Sequence, residues 1–179
     1  MRAHVVFESM FGNGHAVADA VAAGLRAARP GLEVEVLSVL VAPDAPVTDL
    51  LVVGGPTHAF TLSRPQTRAT RGDHLADPDA RARAEAEAGA DTGRGVREWL
   101  DGLAGLAGVP VAAYDTRVPT PVPKRAAAGI AKRLGRAGGT LVVPPEGFHV
   151  AGMHGPLVAG ELDRAAAWGT AVARAATAG

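Results

Sequence analysis

Ser9-Met10-Phe11-Gly12-Asn13-Gly14 follows directly on Ala3-His4-Val5-Val6-Phe7-Glu8 and precedes a run with apolar or small residues at Val17, Ala20, Val21, Gly24, Leu25 and Ala28. The first run is rich in β-branched and aromatic residues, the composition of a buried strand. The last has the spacing of one helical face. Between them, six residues with two glycines must turn the chain. A strand, a glycine turn and a helix start make an anion site: backbone N–H groups of the turn and of the first helical turn converge, and the helix dipole favours negative charge there. The alternative is that the glycines merely turn the chain into a helix capped by Asn13.

Two nucleotide readings of this turn fail. Nothing after Gly14 supplies the Lys-Ser/Thr pair of a Walker loop. Gly12-Asn13-Gly14 begins a dinucleotide fingerprint, but Val17 stands where its third glycine belongs. The second strand, Glu33-Val34-Glu35-Val36-Leu37, ends at Ser38 instead of an acidic residue.

Val6-Phe7-Glu8-Ser9-Met10-Phe11-Gly12-Asn13, followed by Ala18 and Val21, resembles the flavodoxin signature around the phosphate of FMN. In that family a hydroxyl residue opens the loop, a small residue sits three on, and a threonine usually comes two after that. Ser9 and Gly12 fit; Gly14 occupies the threonine position, and Phe11 stands where many members have another hydroxyl. The resemblance implies a phosphate cradle formed by Ser9, Met10, Phe11, Gly12, Asn13 and Gly14, chiefly through backbone amides, with the Ser9 and Asn13 side chains helping. A threonine at position 14 is expected to restore a hydroxyl if that residue has helical backbone angles.

The chain has 179 residues, enough for one well-buried domain. Its 18 basic and 18 acidic residues cancel, so the overall balance points neither to nucleic acid nor to an anionic membrane. No apolar run approaches the ~20 residues of a membrane span. The N-terminus enters a strand at once, leaving no room for a signal peptide, and a soluble, cytoplasmic protein is expected. With no cysteine, disulfides, thiolate catalysis and cysteine-ligated iron–sulfur clusters are excluded. Any redox chemistry then falls to a bound organic cofactor.

Leu50-Leu51-Val52-Val53 is a continuous apolar strand of the kind found at the centre of a parallel sheet, expected to stop at Gly54-Gly55-Pro56. The loop Pro56 to Pro65 follows, where an open α/β sheet places its ligands. The resemblance sets it beside the flavin ring, with Phe60 as the stacking aromatic and Pro56, Thr57 and His58 around ring or ribityl atoms. The alternative keeps Phe60 as a cap on the core and His58 on the surface.

Residues 69–92 are alanine-rich and charged, with Leu75 the only large apolar residue. They read as a polar, solvated insertion, with a helix available over Arg81 to Ala88. A lid or an oligomer contact is the alternative. A clearer helix follows, with Val96, Trp99, Leu100 and Leu103 on one face, which makes Trp99 a core residue.

Val109 to Tyr114 is the fourth strand, and Asp115-Thr116-Arg117 enters a proline-rich loop. The resemblance puts this loop on the other side of the flavin, with Asp115, Thr116 and Arg117 at the ring's polar edge. An arginine there favours reduced, anionic flavin, unlike the acidic surroundings of electron-carrier flavodoxins. Pro123 opens a helix with Ala127, Ile130, Ala131 and Leu134 inward and a basic outer face of Lys124, Arg125, Lys132, Arg133 and Arg136, read as solvated in preference to a docking surface. Thr140-Leu141-Val142-Val143 is the fifth strand, resuming at Phe148-His149-Val150 after Pro144-Pro145. The last helix covers about 161 to 176, with Leu162, Ala166, Gly169 and Ala173 on one face and Trp168 beside it.

Five strands alternating with helices specify an α/β fold: a doubly wound five-stranded parallel sheet in three α/β/α layers, in the flavodoxin-like order 2-1-3-4-5. Residues 1–179 are expected to form one domain carrying the insertion at about 69–92. His149 and His154 are neighbours, but no carboxylate–histidine arrangement completes a metal site. Gly-x-Ser-x-Gly after a strand is missing, and Gly54-Gly55 ends the third strand where a phosphoacceptor aspartate would stand. The expected function is an FMN-binding redox protein, either an electron carrier or a reductase of a small acceptor, with a redox partner protein or that acceptor as its partner. The alternative is a flavodoxin-like domain that has lost flavin and serves as a binding module.

Overall fold

The structure, a computed structural model, describes all residues except 59, 60, 70–72, 74, 86, 88, 91, 121–125, 178 and 179, and omits the side chains of His58 and Thr61. The elements in chain order are β1 (Arg2–Phe7), α1 (Asn13–Ala28), β2 (Glu33–Ser38), β3 (Leu50–His58), β4 (Thr61–Leu62), α2 (Pro65–Ala69) and α3 (Pro78–Glu85). After them come α4 (Val96–Gly102), β5 (Pro110–Arg117), α5 (Ala126–Arg136), β6 (Thr140–Leu141), β7 (Glu146–His149) and α6 (Glu161–Ala175).

The sheet runs β2-β1-β3-β5-β6, with every neighbour parallel. β7 lies beyond β6 on the same strand, pairing Tyr114 to Arg117 of β5 with Glu146 to His149. β6 and β7 thus share the fifth position, with β6 ending at Leu141 instead of Val143 and β7 resuming at Glu146 instead of Phe148, and the expected order 2-1-3-4-5 holds. The short β4 folds back antiparallel on Thr57 and His58.

Apolar residues alternate between two cores, one on each face of the sheet. Val5, Phe7, Val52, Ala112 and Tyr114 face α1 and α6, where Val17, Val21, Leu25 and Val172 meet them. Val6, Leu51, Val53, Val111 and Ala113 face α4 and α5, where Trp99, Leu100, Ile130 and Leu134 meet them. These are the three layers expected, and Trp99 is indeed core, its indole N–H donating to the Pro43 carbonyl at 3.0 Å. In α6 the buried face is Ala165, Gly169, Val172 and Ala173, while Leu162 is 46 % exposed. The expected face is therefore rotated: a helix of small residues packs by close approach, and its one leucine is not the anchor.

Two strands run further than expected. β3 continues through Gly54-Gly55-Pro56 to His58 because Gly54 is a packing position, not a stop. A Cβ on Gly54 would fall 1.9 Å from a ring carbon of Tyr114. β5 continues through Asp115, Thr116 and Arg117 because β7 pairs with them, a partner that appears only after the fifth strand resumes.

α1 and α6 cross through glycines. A Cβ on Gly24 would lie 2.0 Å from the Ala166 carbonyl oxygen, and one on Gly169 would lie 2.3 Å from that of Val21. Alanine is the better helix former by about 0.8–1.0 kcal/mol, but forcing atoms into a packed contact costs about 1–3 kcal/mol. At Gly169 the collision is with backbone and wins. We predict that Gly169→Ala lowers stability to urea by about 1–2 kcal/mol. Gly135→Ala on α5, where a Cβ meets nothing within 4 Å, should raise it by about 0.5–1 kcal/mol. Equal effects of the two would contradict the close crossing.

Candidate functional site

The chain leaves β1 at Phe7 and turns into α1 at Gly12, whose φ of 79° is left-handed and suited to glycine. Gly12, not Asn13, is the N-cap residue, and no side chain caps the helix. Ala16 makes the first intrahelical bond, its N–H donating to the Gly12 carbonyl at 3.0 Å. The amides of Asn13 and Gly14 ahead of it have no backbone acceptor among the described residues. The Ser9 hydroxyl is buried and likewise has no hydrogen-bond partner among them. A buried, unpaired hydroxyl beside an uncapped helix start is an arrangement that an anion completes.

Gly14 is closed to a side chain. A Cβ there would stand 2.5 Å from the Glu8 carbonyl oxygen and 3.3 Å from the Ser9 Cβ. The threonine expected to restore a hydroxyl at this position therefore cannot be seated without moving the loop. The glycine is what lets the helix start so close to the strand it leaves.

Glu8, Ser9, Met10, Phe11, Asn13 and Gly14 line one wall of a cleft of about 100 Å³ at the carboxyl ends of the strands. Pro56 and Thr57 of β3 line another, and Thr116, Arg117 and Val118 a third, with Val150 and Met153 completing it. The three stretches expected to meet do meet here. Several side chains within them have other employment. Asn13 Nδ2 donates to the His154 carbonyl at 3.1 Å. Thr57 Oγ1 accepts from the Ala126 N–H at 3.1 Å, at the start of α5. Asp115 is wholly buried, accepts from the Ala127 N–H at 2.9 Å and pairs with Arg117, and does not line the cleft. Arg117 is thus not an isolated cation, its charge being paired with that of Asp115. Phe60 and the His58 side chain lie outside the described residues.

Two contributors escape the sequence. The turn from Val150 to Leu157, closed by a bridge between these two residues, brings His154 over the helix start, its ring 4.9 Å from that of Phe11. The segment 69–92 is not simply solvated: Ala80 and Ala84 of α3 are buried against Met10 and Phe11, and Arg83 donates to the same His154 carbonyl at 3.3 Å. Alanines carry little hydrophobic signal, so a helix that covers a loop with two of them reads as polar.

Beneath the loop sits a buried polar cluster. Glu8 accepts from the Val96 N–H at 2.7 Å through Oε2 and from the Ser63 hydroxyl through Oε1. Arg68 donates to Ser63 at 3.2 Å and pairs with Glu98 at 2.9 Å. One carboxylate therefore ties the cleft loop to β4 and to the start of α4. Burial pushes the Glu8 carboxyl above its ordinary 4.5, against the pull of its hydrogen bonds and of Arg68. Among the described residues no group of three His, Asp or Glu side chains is placed to hold a metal ion, and no helix is long and apolar enough to cross a membrane.

No family model and no curated protein matches the sequence. Solved structures do match over nearly the whole chain. A flavodoxin from the domain Archaea superposes with a TM-score of 0.65 at 18 % identity, covering 98 % of this chain and 99 % of its own. Oxidised flavodoxin 1 from Bacillus cereus gives 0.64 at 17 % identity, covering 97 % and 98 %. The flavodiiron core of Flv1 from Synechocystis gives 0.61 at 14 % identity, covering 99 % of this chain and 36 % of its own. The chain has the flavodoxin-like fold.

A carboxyl whose pKa is raised on folding keeps its proton longer in the folded state. Its contribution is complete below its ordinary 4.5 and is lost as pH rises through the raised value. We predict that the stability of the native protein falls relative to that of Glu8→Gln as pH is taken from 4.5 towards 8, measured by urea unfolding across that range. A difference independent of pH would show that Val96, Ser63 and Arg68 compensate the buried charge fully.

Proposed function

We propose that this chain is an FMN-binding redox protein, working in electron transfer or in flavin-dependent reduction of a small acceptor. The observation that carries the reading is the unpaired, buried Ser9 hydroxyl beside the uncapped first turn of α1. Phosphate is the chemistry that satisfies both: N–H donors and the positive end of the helix meet a dianion, and the hydroxyl donates to one of its oxygens. Bound FMN supplies one-electron or hydride chemistry. Around it, Pro56 and Thr57 on one side and Thr116, Arg117 and Val118 on the other bound the space for the ring. Phe60 belongs to this reading as the stacking aromatic, and His58 as a donor to the ring or ribityl chain. Asp115 acts from behind, balancing the charge of Arg117 and fixing the start of α5.

The same reading takes residues 1–179 as one cytoplasmic domain with 69–92 as its insertion. Ala80 and Ala84 against Met10 and Phe11 then give that insertion a role, holding the outer side of the cradle loop and keeping water from it. A redox partner protein or a small acceptor would exchange electrons at the open cleft.

One set of contacts favours a second reading, a flavin-free binding module. Asn13, Thr57 and Asp115 each spend a polar group on a backbone partner, and Gly14 admits no hydroxyl, so few side chains remain for a ligand. The visible spectrum of the freshly purified protein separates the two: a yellow protein that releases FMN supports the first, and a colourless one that ignores added FMN supports the second.

A hydrogen bond to a charged group contributes about 1.5–3 kcal/mol, which is roughly tenfold or more in affinity. Ser9→Ala should therefore weaken FMN binding by at least about tenfold and leave riboflavin, which lacks the phosphate, unchanged. Fluorescence titration of the apoprotein with both flavins measures this. Equal losses for the two would take Ser9 away from the phosphate.

A further inference from the structure

The chain is electrically neutral, yet residues 102–145 carry six cations, Arg117, Lys124, Arg125, Lys132, Arg133 and Arg136, against a single carboxylate, Asp115. Asp115 is buried and already paired with Arg117. Lys124 and Arg125 lie outside the described residues, and the remaining excess belongs to Lys132, Arg133 and Arg136 of α5. Lys132 and Arg136 are exposed one turn apart and have no ion-pair partner among the described residues. Like charges at that spacing disfavour the helix that carries them.

Other cations extend the line. Arg133 pairs with Asp101 at 2.7 Å. Arg97 on α4 is pinned by the carbonyls of Ser63 at 3.0 Å and Leu62 at 2.7 Å, with Arg133 and Arg64 repelling it and Asp101 and Glu98 attracting it. Arg64, beside β4, is exposed. Of the nearby acids, Glu98 is taken by Arg68 and by the Gly95 N–H, which leaves Asp101 as the local counter-charge. A cavity of about 270 Å³ opens between the ends of α4 and α5, lined by Asp101, Arg133, Arg136 and Ala137 together with the buried Leu100 and Leu103.

We propose that this β4–α4–α5 face is a docking surface for an acidic segment of a partner protein. Carboxylates of the segment meet Arg97, Arg133 and Arg136, and one apolar side chain enters the cavity over Leu100 and Leu103. Charge complementarity selects the partner: a protein segment brings both carboxylates and an apolar side chain, whereas a nucleic-acid backbone brings only the anion and would set phosphates against Asp101. Crowded cations that repel one another lose that repulsion when an acidic partner binds, so the arrangement favours the bound state. The surface is independent of whether flavin occupies the cleft.

The test uses the full chain and a fluorescein-labelled peptide repeating Glu-Glu-Leu, followed by fluorescence anisotropy at low and physiological salt. Saturable binding is expected, weakening with salt, about tenfold or more weaker for the double variant Arg133→Glu with Arg136→Glu, and unchanged for Arg174→Glu on α6. A Glu-Glu-Ser peptide should bind more weakly than Glu-Glu-Leu, since it leaves the cavity unfilled. Arg64→Glu with Lys132→Glu, both at the surface, gives the same test should the first double variant unfold. Absence of saturable binding, binding indifferent to both charge reversals, or tighter binding of an oligonucleotide or of anionic vesicles than of the peptide would overturn the proposal.

Discussion

Tyr114 holds the cleft end of the molecule together. Its ring fills the space that a side chain on Gly54 would need, so β3 and β5 register on each other at that level. Its hydroxyl donates to the Gly14 carbonyl at 3.3 Å, reaching the first turn of α1. Edge contacts to Phe148 and Trp168, with ring centroids 5.9 and 6.1 Å away, extend the same cluster to β7 and α6. One wholly buried aromatic thus joins the two central strands to the helix whose start faces the cleft, and burial pushes its ionisation far above the ordinary range.

Most of the fold is legible in the sequence because its signals are local. The apolar runs at Val5-Val6, Leu51-Val52-Val53 and Val111-Ala112-Ala113, with helical spacings between them, specify strands and crossovers without reference to anything distant. The errors are where a distant partner decides. Gly54 and Gly55 have the local chemistry of a stop, yet the Tyr114 ring needs Gly54 bare and the strand runs through. Asp115 to Arg117 has the look of a loop until β7 pairs with it. In α6, Leu162 is the strongest apolar residue, yet it sits exposed in the first turn, while the buried face is made of the small residues Ala165, Gly169 and Ala173 with Val172, and Gly169 lets the backbone of α1 come close.

The candidate site is legible to a lesser degree. The convergence of Ser9–Gly14, Pro56-Thr57 and Thr116-Arg117 follows from the topology alone, since these are the carboxyl ends of adjacent parallel strands. What each side chain does there is not a property of spacing. Asn13, Thr57 and Asp115 are all drawn to backbone groups of elements far along the chain, at His154, Ala126 and Ala127. The cover supplied by α3 is invisible for a different reason, because two alanines suffice to seat it. Glu8 presents as the polar end of a strand, and only the folded structure brings Ser63 and Val96 to its carboxylate.

The central claim is that the first turn of α1 and the Ser9 hydroxyl together hold a phosphate. The most direct measurement follows the backbone amide resonances of isotopically labelled apoprotein as FMN, and separately riboflavin, is added. The account predicts that FMN shifts the amides of Ser9, Asn13 and Gly14 strongly while riboflavin leaves them near their starting positions. Bound FMN that leaves these three unmoved, with its shifts confined to other parts of the chain, would contradict it.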